Sequence, residues 1–364
     1  MFFSISKNKF FHYIFFSIIS LYVFLNGGNS NITIQLNFLI VSIFFFICTI
    51  NKNYKSHLNF FLIKNKLNIL FFFTFLLFVI FQTLPIPIDF LKYFSKEKYF
   101  LLNDLLDYDK NSSLSLSPSN TFFQFLNFLT IFLIILIVKM IFYKTQHIYR
   151  FYFFISFLGA FCSFLGILLY LNDNYHNLIN VGSSTIFIIN KSIFSIFLVF
   201  CFIASLEILK NKKKIQKDKN ESFFLRIYVR LFILLITLGI ITTFSRLGNF
   251  LFFFTVFIYL IHEIFNTKKN DKSFIYLLIL IILFDILILG FYFGSDHLVH
   301  RFSFLHNTFD INHNTQNNMT RLNWMKFAFT QIKDYFFFGY GGGSFETLFQ
   351  IKYENLSYEF ANHA

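Results

Sequence analysis

The sequence predicts an all-α, polytopic membrane protein, and three observations support this class. Hydrophobic residues make up 56% of the 364 residues and charged residues only 13%, against roughly 25% charged residues in a soluble globular domain. Apolar runs of spanning length recur along the chain, and a soluble core could not bury so many of them. Basic residues punctuate these runs instead of forming one face, which favours topology signals over nucleic-acid binding.

Apolar runs of about 17 to 25 residues predict about nine transmembrane helices. The first follows two lysines, as in a signal peptide, but no small-residue cleavage site follows it, which favours an uncleaved helix. The runs predict a transmembrane bundle over residues 1–293 and a large helical loop over residues 294–364. The predicted spans are Phe10–Asn26, Ile32–Ile50, Leu67–Thr83, Thr121–Tyr143, Phe151–Leu171, Thr185–Leu209, Ile227–Phe244, Leu247–Phe265 and Ser273–Phe293.

The distribution of lysine and arginine predicts the orientation, because positively charged loops stay in the cytoplasm. Loops on the side of the amino terminus carry 18 basic residues, and those on the opposite side carry 10. The amino terminus is therefore expected inside. This places residues 84–120, 172–184 and 294–364 outside, and function is expected there or at their membrane edges.

Arg246 lies in the run 242–248 (TTFSRLG), at a predicted external turn between two spans. An arginine beside hydrocarbon is costly unless it snorkels or finds a partner. It is therefore either a snorkelling interfacial arginine or a ligand for phosphate, whose oxygens match the planar guanidinium fork. Position alone does not separate these interpretations.

Arg321 precedes Trp324 on a predicted amphipathic helix of the external tail. One interpretation is a solvated helix face with the tryptophan as an interfacial anchor. The other is a second cation that converges with Arg246 on a pyrophosphate and stabilises its charge as it leaves. Arg301, in the same tail, is a further candidate for substrate binding.

The glycine cluster at residues 338–345 (FGYGGGSF) invites a nucleotide-binding interpretation, which its context excludes. A dinucleotide fingerprint needs a preceding strand and a βαβ unit, and nucleotides are scarce on the predicted external side. The cluster predicts a tight turn, either purely structural or able to bring amide N–H groups to a phosphate or sugar.

Two other residues could contribute to a site. His363 is a candidate general base, because the ordinary pKa of histidine suits neutral pH. Lys191 lies near the external end of the sixth predicted span, where it either binds a polar headgroup or snorkels. No carboxylate pair, Ser/His/Asp set, disulfide framework or metal-ligand spacing stands out, so neither a metal nor a cofactor is predicted.

Several of these motifs, in this order, resemble the superfamily of O-antigen ligases, O-antigen polymerases and protein O-oligosaccharyltransferases. Leu84–Pro87 with Ser117, Pro118 and Thr121 resembles the first external loop of the family. Phe187–Lys191 resembles its short Phe-x-Asn motif. The order and spacing of the motifs, alternating with the predicted spans, make the combination specific although each motif alone is weak.

The C-terminal motifs extend the resemblance. Residues 245–248 (SRLG) resemble the family's Ser-Arg-Gly-like turn, with Leu247 where a glycine is common. Residues 320–324 (TRLNW) resemble its Arg-x-x-Trp motif, and residues 339–345 its Gly-x-Gly-x-Gly-x-Phe signature.

The resemblance implies a GT-C-like glycosyltransferase architecture and an O-antigen ligase-related domain over about residues 185–364. It implies that Arg246 and Arg321 contact the pyrophosphate of an undecaprenyl-linked glycan donor. The substrate-binding candidates are Lys191, Arg301, Gly341 and Gly343.

The family's catalytic histidine precedes an asparagine, and the sequence stops at Asn362, His363 and Ala364 before such a pair. The sequence end reads as a truncation within a domain. His363 is then either the catalytic histidine or its upstream neighbour.

The predicted function is glycan transfer from undecaprenyl pyrophosphate at the periplasmic face of the bacterial inner membrane. The acceptor is the lipid A-core in a ligase or a growing glycan in a polymerase. Membrane lipid is a further expected partner, and nucleic acid is not. The rival class is a polysaccharide flippase or ion-coupled carrier, which needs polar or broken helices around a mid-membrane cavity. Asp285 is the clearest acidic residue within a span, and no internal repeat is visible.

Overall fold

The computed structural model describes most of the helices and the segments that join several of them. The described residues are 7–25, 30–103, 111–171, 185–188, 190–210, 219–265, 274–281, 283, 321–335 and 338–352. They divide into two compact units, Met1–Ser30 with Val138–Leu298 and Asn31–Ile137 with Val299–Ala364. The division predicted from the sequence, a bundle over residues 1–293 and a loop over residues 294–364, concerns membrane topology and stays a prediction.

The first unit is a bundle of long apolar helices. Residues 274–281 are also helical and pack on it through Phe274 and Leu278. Its labelled helices are α1 (Lys7–Phe24), α8 (Thr145–Leu171), α9 (Lys191–Lys210), α10 (Lys219–Thr242) and α11 (Arg246–Phe265).

The second unit combines apolar helices with short elements that connect them. Helix α7 belongs mainly to this unit, and its last four residues are assigned to the first. The elements are α2 (Asn31–Ile50), α3 (Lys52–Lys64), α4 (Lys66–Phe81), β1 (Pro85–Pro87), α5 (Ile88–Phe94), α6 (Lys96–Asn103), β2 (Asn111–Ser113), α7 (Pro118–Ile141), α12 (Arg321–Asp334) and α13 (Phe345–Lys352).

The prediction of an all-α polytopic membrane protein is confirmed. Six helices in the described part of the chain are long and apolar enough to cross a bilayer: α2, α7, α8, α9, α10 and α11. Of the other three predicted spans, the first is the shorter apolar helix Phe10–Phe24, and the third is α4. The last predicted span, Ser273–Phe293, lies largely outside the described residues.

Helices α3 and α4 meet at a bend of 88°. The break lies at Asn65, between Lys64 and Lys66, and the Asn65 side-chain amide donates to the carbonyl oxygen of Phe61. The charged lysines that flank the break are unfavourable in hydrocarbon, whereas the rest of α4 is almost wholly apolar and suits it. Together the two helices have the length and hydropathy of one span, which is either broken or re-entrant.

Small residues bring the helices of the first unit close together. A Cβ atom on Gly159 of α8 would lie 2.4 Å from Cys201 Cβ of α9. A Cβ atom on Gly239 of α10 would lie 2.6 Å from Ser163 Cβ of α8. Such close approach increases van der Waals contact, which drives helix association in a membrane where hydrophobic burial offers little.

Ionisable side chains pair where α9 and α11 end. Lys210 Nζ lies 3.2 Å from Glu263 Oε2, and the Tyr259 hydroxyl donates to Glu207 Oε1 at 2.8 Å. Pairing lowers the cost of placing carboxylates in an apolar bundle. These contacts join α9 to α11 at the ends remote from their first turns.

Candidate functional site

The turn between α10 and α11 is strained and tightly bonded. Phe244 has a φ of 53°, the one positive φ of a non-glycine residue in the described part of the chain. Strained backbone of this kind persists only where surrounding contacts enforce it. The Thr243 hydroxyl accepts a hydrogen bond from the Ser245 N–H at 3.3 Å, and Ser245 Oγ in turn accepts from the Gly248 N–H at 3.2 Å. Ser245 is therefore the N-cap of α11, and Arg246 is its first residue.

Helix α9 begins in the same way. Asn190 Oδ1 accepts hydrogen bonds from the backbone N–H groups of Ser192 (2.9 Å) and Ile193 (3.4 Å). Asn190 is the N-cap, so Lys191 is the first residue of the helix. The sequence predicted that this span starts at Thr185, six residues before the observed start of α9. The prediction was early because residues 186–189, which precede the helix, are also apolar.

The first turns of α9 and α11 are in direct contact. Ser245 Oγ donates a hydrogen bond to Ser192 Oγ at 3.3 Å. Gly248 packs so closely on Ser195 that an added Cβ atom would lie 2.3 Å from Ser195 Cβ. Two helix N-termini, each with partial positive charge, therefore lie side by side.

The two cations add to this positive charge. Lys191 and Arg246 are both exposed, and neither helix has an acidic residue in its first turn. Basic residues at helix N-termini are unfavourable, because the helix dipole repels them. An anion near both N-termini would offset that repulsion and accept hydrogen bonds from the guanidinium group.

A second candidate region lies in the other unit and is built around the glycine turn, residues 338–344. Its glycines Gly339, Gly341 and Gly343 have φ values of 65°, 95° and 70°, which L side chains rarely adopt. Carbonyl oxygens of the turn accept hydrogen bonds from residues 82–121. The bonds are Gln82 Nε2 to Phe338 O (2.6 Å), Leu116 N to Tyr340 O (3.0 Å) and Thr121 Oγ1 to Gly342 O (2.9 Å).

Gly341 sits against side chains that leave no room for a larger residue. An added Cβ atom would lie 2.6 Å from Ser115 Cβ and 2.7 Å from Thr121 Oγ1. This packing explains why the sequence has glycine at this position. The packing gives Gly341 a structural role. Its role in substrate binding stays a prediction.

The orientation of the peptide groups gives the glycine turn a polar free side. In a trans peptide the C=O and N–H bonds point in opposite directions. Because the carbonyls of Tyr340 and Gly342 face residues 116 and 121, the N–H groups of Gly341 and Gly343 point away from them. Neighbouring N–H groups in alternating backbone conformations form concavities that bind anions or polar oxygens.

Helices α12 and α13 support the glycine turn through a small apolar cluster. Phe327 of α12 and Tyr335, which directly follows α12, pack with Leu348 and Phe349 of α13. The Tyr335 and Tyr340 rings meet edge to face, with 5.5 Å between their centroids. The turn is therefore held on both sides.

The predicted site residues differ in what the structure describes of them. Lys191 and Arg246 lie on adjoining helix starts, and Gly341 and Gly343 lie in the glycine turn. Arg321 begins α12, but its side chain and that of Trp324 lie outside the described residues. Arg301 and His363 also lie outside them.

The sequence analysis named Ser117 and Thr121 only as part of a motif, and it missed that residues of this segment hold the glycine turn. Ser113, Ser115 and Ser117 alternate with leucines, a period of two that indicates an extended segment and could have been noticed. Lys98 gave no such signal, because it stands beside Lys96 and Glu97 and resembles a solvated helix face.

The first unit also contains a groove of about 1200 Å³. It is lined mainly by α1 and α8, with Phe16, Phe24, Phe154 and Arg150 among its lining residues. None of the predicted site residues lines it. In the described part of the chain, no group of three or more His, Cys, Asp or Glu side chains is arranged to hold a metal ion.

Comparison with known proteins gives a match to a family model that covers the C-terminal part of the chain. Residues 231–364 match the family model described as O-antigen ligase. This match confirms the resemblance found in the sequence and includes Arg246, Arg321 and the glycine turn. No match was found among curated proteins or among solved structures. The chain is therefore a multi-pass membrane protein in which residues 231–364 are similar to the O-antigen ligase family.

Proposed function

We propose that the protein transfers a glycan from undecaprenyl pyrophosphate to an acceptor hydroxyl, as an O-antigen ligase of the bacterial inner membrane. The observation that carries the proposal is the contact between the first turns of α9 and α11, which places Lys191 and Arg246 at adjoining helix N-termini. A pyrophosphate has the charge and the oxygen geometry that such a site favours.

The proposed reaction needs stabilisation of a leaving group. The acceptor hydroxyl oxygen forms a bond to the anomeric carbon of the glycan, and the bond from that carbon to the pyrophosphate oxygen breaks. The polyprenyl pyrophosphate leaves with the bonding electron pair, and the hydroxyl proton passes to a base, for which His363 is the candidate. Preorganised cations and helix N-termini stabilise the charge that develops on the leaving oxygen.

Two further arginines and the glycine turn also belong to the proposed donor-binding residues. Arg321, at the start of α12, is the second proposed cation for the pyrophosphate, and Arg301 is a further basic residue for the donor. The N–H groups of Gly341 and Gly343 suit oxygen atoms of the donor glycan. The positive-inside distribution supports a periplasmic catalytic side.

A gene deletion in the host tests the proposal and separates its two forms. The surface glycolipid is resolved on a gel, and lipid-linked glycan is measured in the envelope. Bare lipid A-core with accumulated lipid-linked polymer supports a ligase, whereas core that carries a single repeat unit supports a polymerase. An unchanged glycolipid ladder would contradict both.

A polysaccharide transporter is the rival class, and the carboxylates Glu207 and Glu263 within α9 and α11 are the observation in its favour. Both carboxylates contact a partner, Tyr259 and Lys210 respectively, near the ends of the helices. This pairing joins α9 to α11 near their C-terminal ends. A structural role for these pairs therefore fits their position better.

A further inference from the structure

Lys98 of α6 is buried, with a relative exposure of 6%, although it carries a charge. Its ammonium nitrogen donates hydrogen bonds to the carbonyl oxygens of Ser113 and Ser115 at 2.5 and 2.6 Å. A third contact, to Ser113 Oγ, measures 3.4 Å. In the part of the chain that the structure describes, no carboxylate forms a salt bridge with it.

A buried ammonium group without an ion pair is costly, so its hydrogen bonds must be well placed. Lys98 can donate three hydrogen bonds, and the two short ones go to backbone carbonyls two residues apart. They fix the backbone of residues 113–115 as it leaves β2. Burial also lowers the pKa of Lys98 to about 8.

The segment that Lys98 fixes carries the hydroxyl group on which the glycine turn rests. Ser115 Oγ lies 2.7 Å from Thr121 Oγ1 and 3.1 Å from Ser344 Oγ, and Ser115 is fully buried. Ser344 Oγ also accepts the Ser117 N–H at 3.2 Å. A continuous series of contacts therefore runs from the ammonium of Lys98 through Ser115 to the glycine turn.

We propose that Lys98 is a positioning residue for donor binding. It holds Ser115 against the glycine turn, and so fixes the N–H groups of Gly341 and Gly343 toward oxygen atoms of the glycan donor. Lys98 touches no substrate itself, because its ammonium is enclosed by protein oxygens. The proposal rests on the proposed function for its substrate, but the contacts that carry it are independent of that function.

The first test measures the order of the glycine turn without any substrate. Amide hydrogen exchange is followed in the full-length protein in lipid nanodiscs, for wild type, Lys98→Met and Lys96→Met. Lys96 is exposed on the same helix, so its substitution controls for loss of a positive charge. Lys98→Met is expected to speed exchange in peptides that cover residues 338–344, and Lys96→Met is not. Equal exchange in all three proteins would overturn the proposal.

The second test measures donor dependence of transfer in proteoliposomes with purified lipid-linked glycan. Lys98→Met is expected to raise the donor KM about five- to tenfold, the loss of about one hydrogen bond, with kcat changed less than about twofold. A purely structural defect would lower the active fraction and hence the apparent kcat at an unchanged KM, which would overturn the proposal.

A second variant keeps the test decisive if Lys98→Met does not fold. Ser115→Ala removes the hydroxyl that contacts Ser344 and leaves the Lys98 contacts to backbone carbonyls in place. It is expected to raise KM and the exchange rate of the glycine turn in the same direction. An unchanged KM in Ser115→Ala would overturn the proposal. Absence of transfer by wild type would contradict the proposed function instead, and the exchange test would still decide the role of Lys98.

Discussion

The hydroxyl oxygens of Ser192 and Ser245 lie 3.3 Å apart and join the first turns of α9 and α11. These residues are far apart in the sequence, yet each belongs to a helix start whose first residue is a cation. The contact explains how two basic residues on separate helices become parts of one positively charged region. The proposed pyrophosphate site depends on this contact.

Ser245→Ala should destabilise the α10–α11 turn, because Ser245 Oγ accepts the Gly248 N–H at the N-cap of α11. Loss of an N-cap costs about 1 kcal/mol. Thermal unfolding in detergent measures the effect. Ser56→Ala, at an exposed position of α3, is the control and should leave the midpoint unchanged. Equal midpoints for the two variants would show that the cap contributes little.

Lys191→Ala and Arg246→Ala should show energetic coupling in donor binding, because their helix starts adjoin. A double-mutant cycle on the donor dissociation constant is expected to give a coupling of about 1 kcal/mol, within the usual range for groups that share a partner. Purely additive effects would indicate that the two cations bind no common anion.

Gly341→Ala should disrupt the glycine turn, whereas Gly342→Ala should be tolerated. Gly341 has a φ of 95° and meets Ser115 and Thr121, while the nearest atom to an added Cβ on Gly342 is Gln124 Cβ at 3.4 Å. Backbone strain and overpacking together predict a loss of about 2 to 5 kcal/mol in the free energy of unfolding for Gly341→Ala. Denaturant titration of both variants checks this, and similar stabilities would refute the packing argument.

The stability of the protein should rise with pH between about 8 and the ordinary pKa of lysine, 10.5, through Lys98. Burial lowers the folded-state pKa to about 8, so in this window the folded amine is neutral while the unfolded amine is still protonated. The unfolded state then binds more protons, and the free energy of unfolding increases with pH. The contribution is complete above pH 10.5 and is lost as pH falls through 8.

The measurement compares wild type with Lys98→Met, which cannot titrate at this position. Unfolding midpoints are recorded at pH 7.5 and 9.5, and wild type should gain stability relative to Lys98→Met at the higher pH. Parallel pH profiles would mean that the amine stays charged when buried.

The long apolar helices could be predicted from the sequence because hydrophobicity alone specifies them. Helices α8 to α11 lie where apolar runs predicted spans, although α9 begins at Lys191 and not at Thr185. Asn190 marks the true start, and its capping role is a local signal that the apolar run obscured. The bend between α3 and α4 was missed, because the length and hydrophobicity of an apolar run do not indicate the angle between the helix and its neighbour.

The candidate site was predictable in its parts but not in its contacts. The turn before Arg246 and the tight glycine turn follow from local residue types, whereas the positive φ of Phe244 does not. The contact of Ser245 with Ser192, and that of Ser115 with Ser344, join residues distant in the sequence, and no local pattern encodes them. Lys98 shows the limit most clearly, since a lysine among charged neighbours predicts exposure and the structure buries it.

The most direct test of the central claim is transfer of glycan by purified Arg246→Ala protein in proteoliposomes that contain lipid-linked donor and acceptor. Release of polyprenyl pyrophosphate and growth of the acceptor are measured together, with Arg230→Ala, at an exposed position of α10, as the control. Arg246→Ala is expected to lower the rate by about 100-fold or more, while the folded fraction and the rate of the control stay near those of wild type. Transfer by Arg246→Ala at the wild-type rate would show that Arg246 does not stabilise the leaving pyrophosphate.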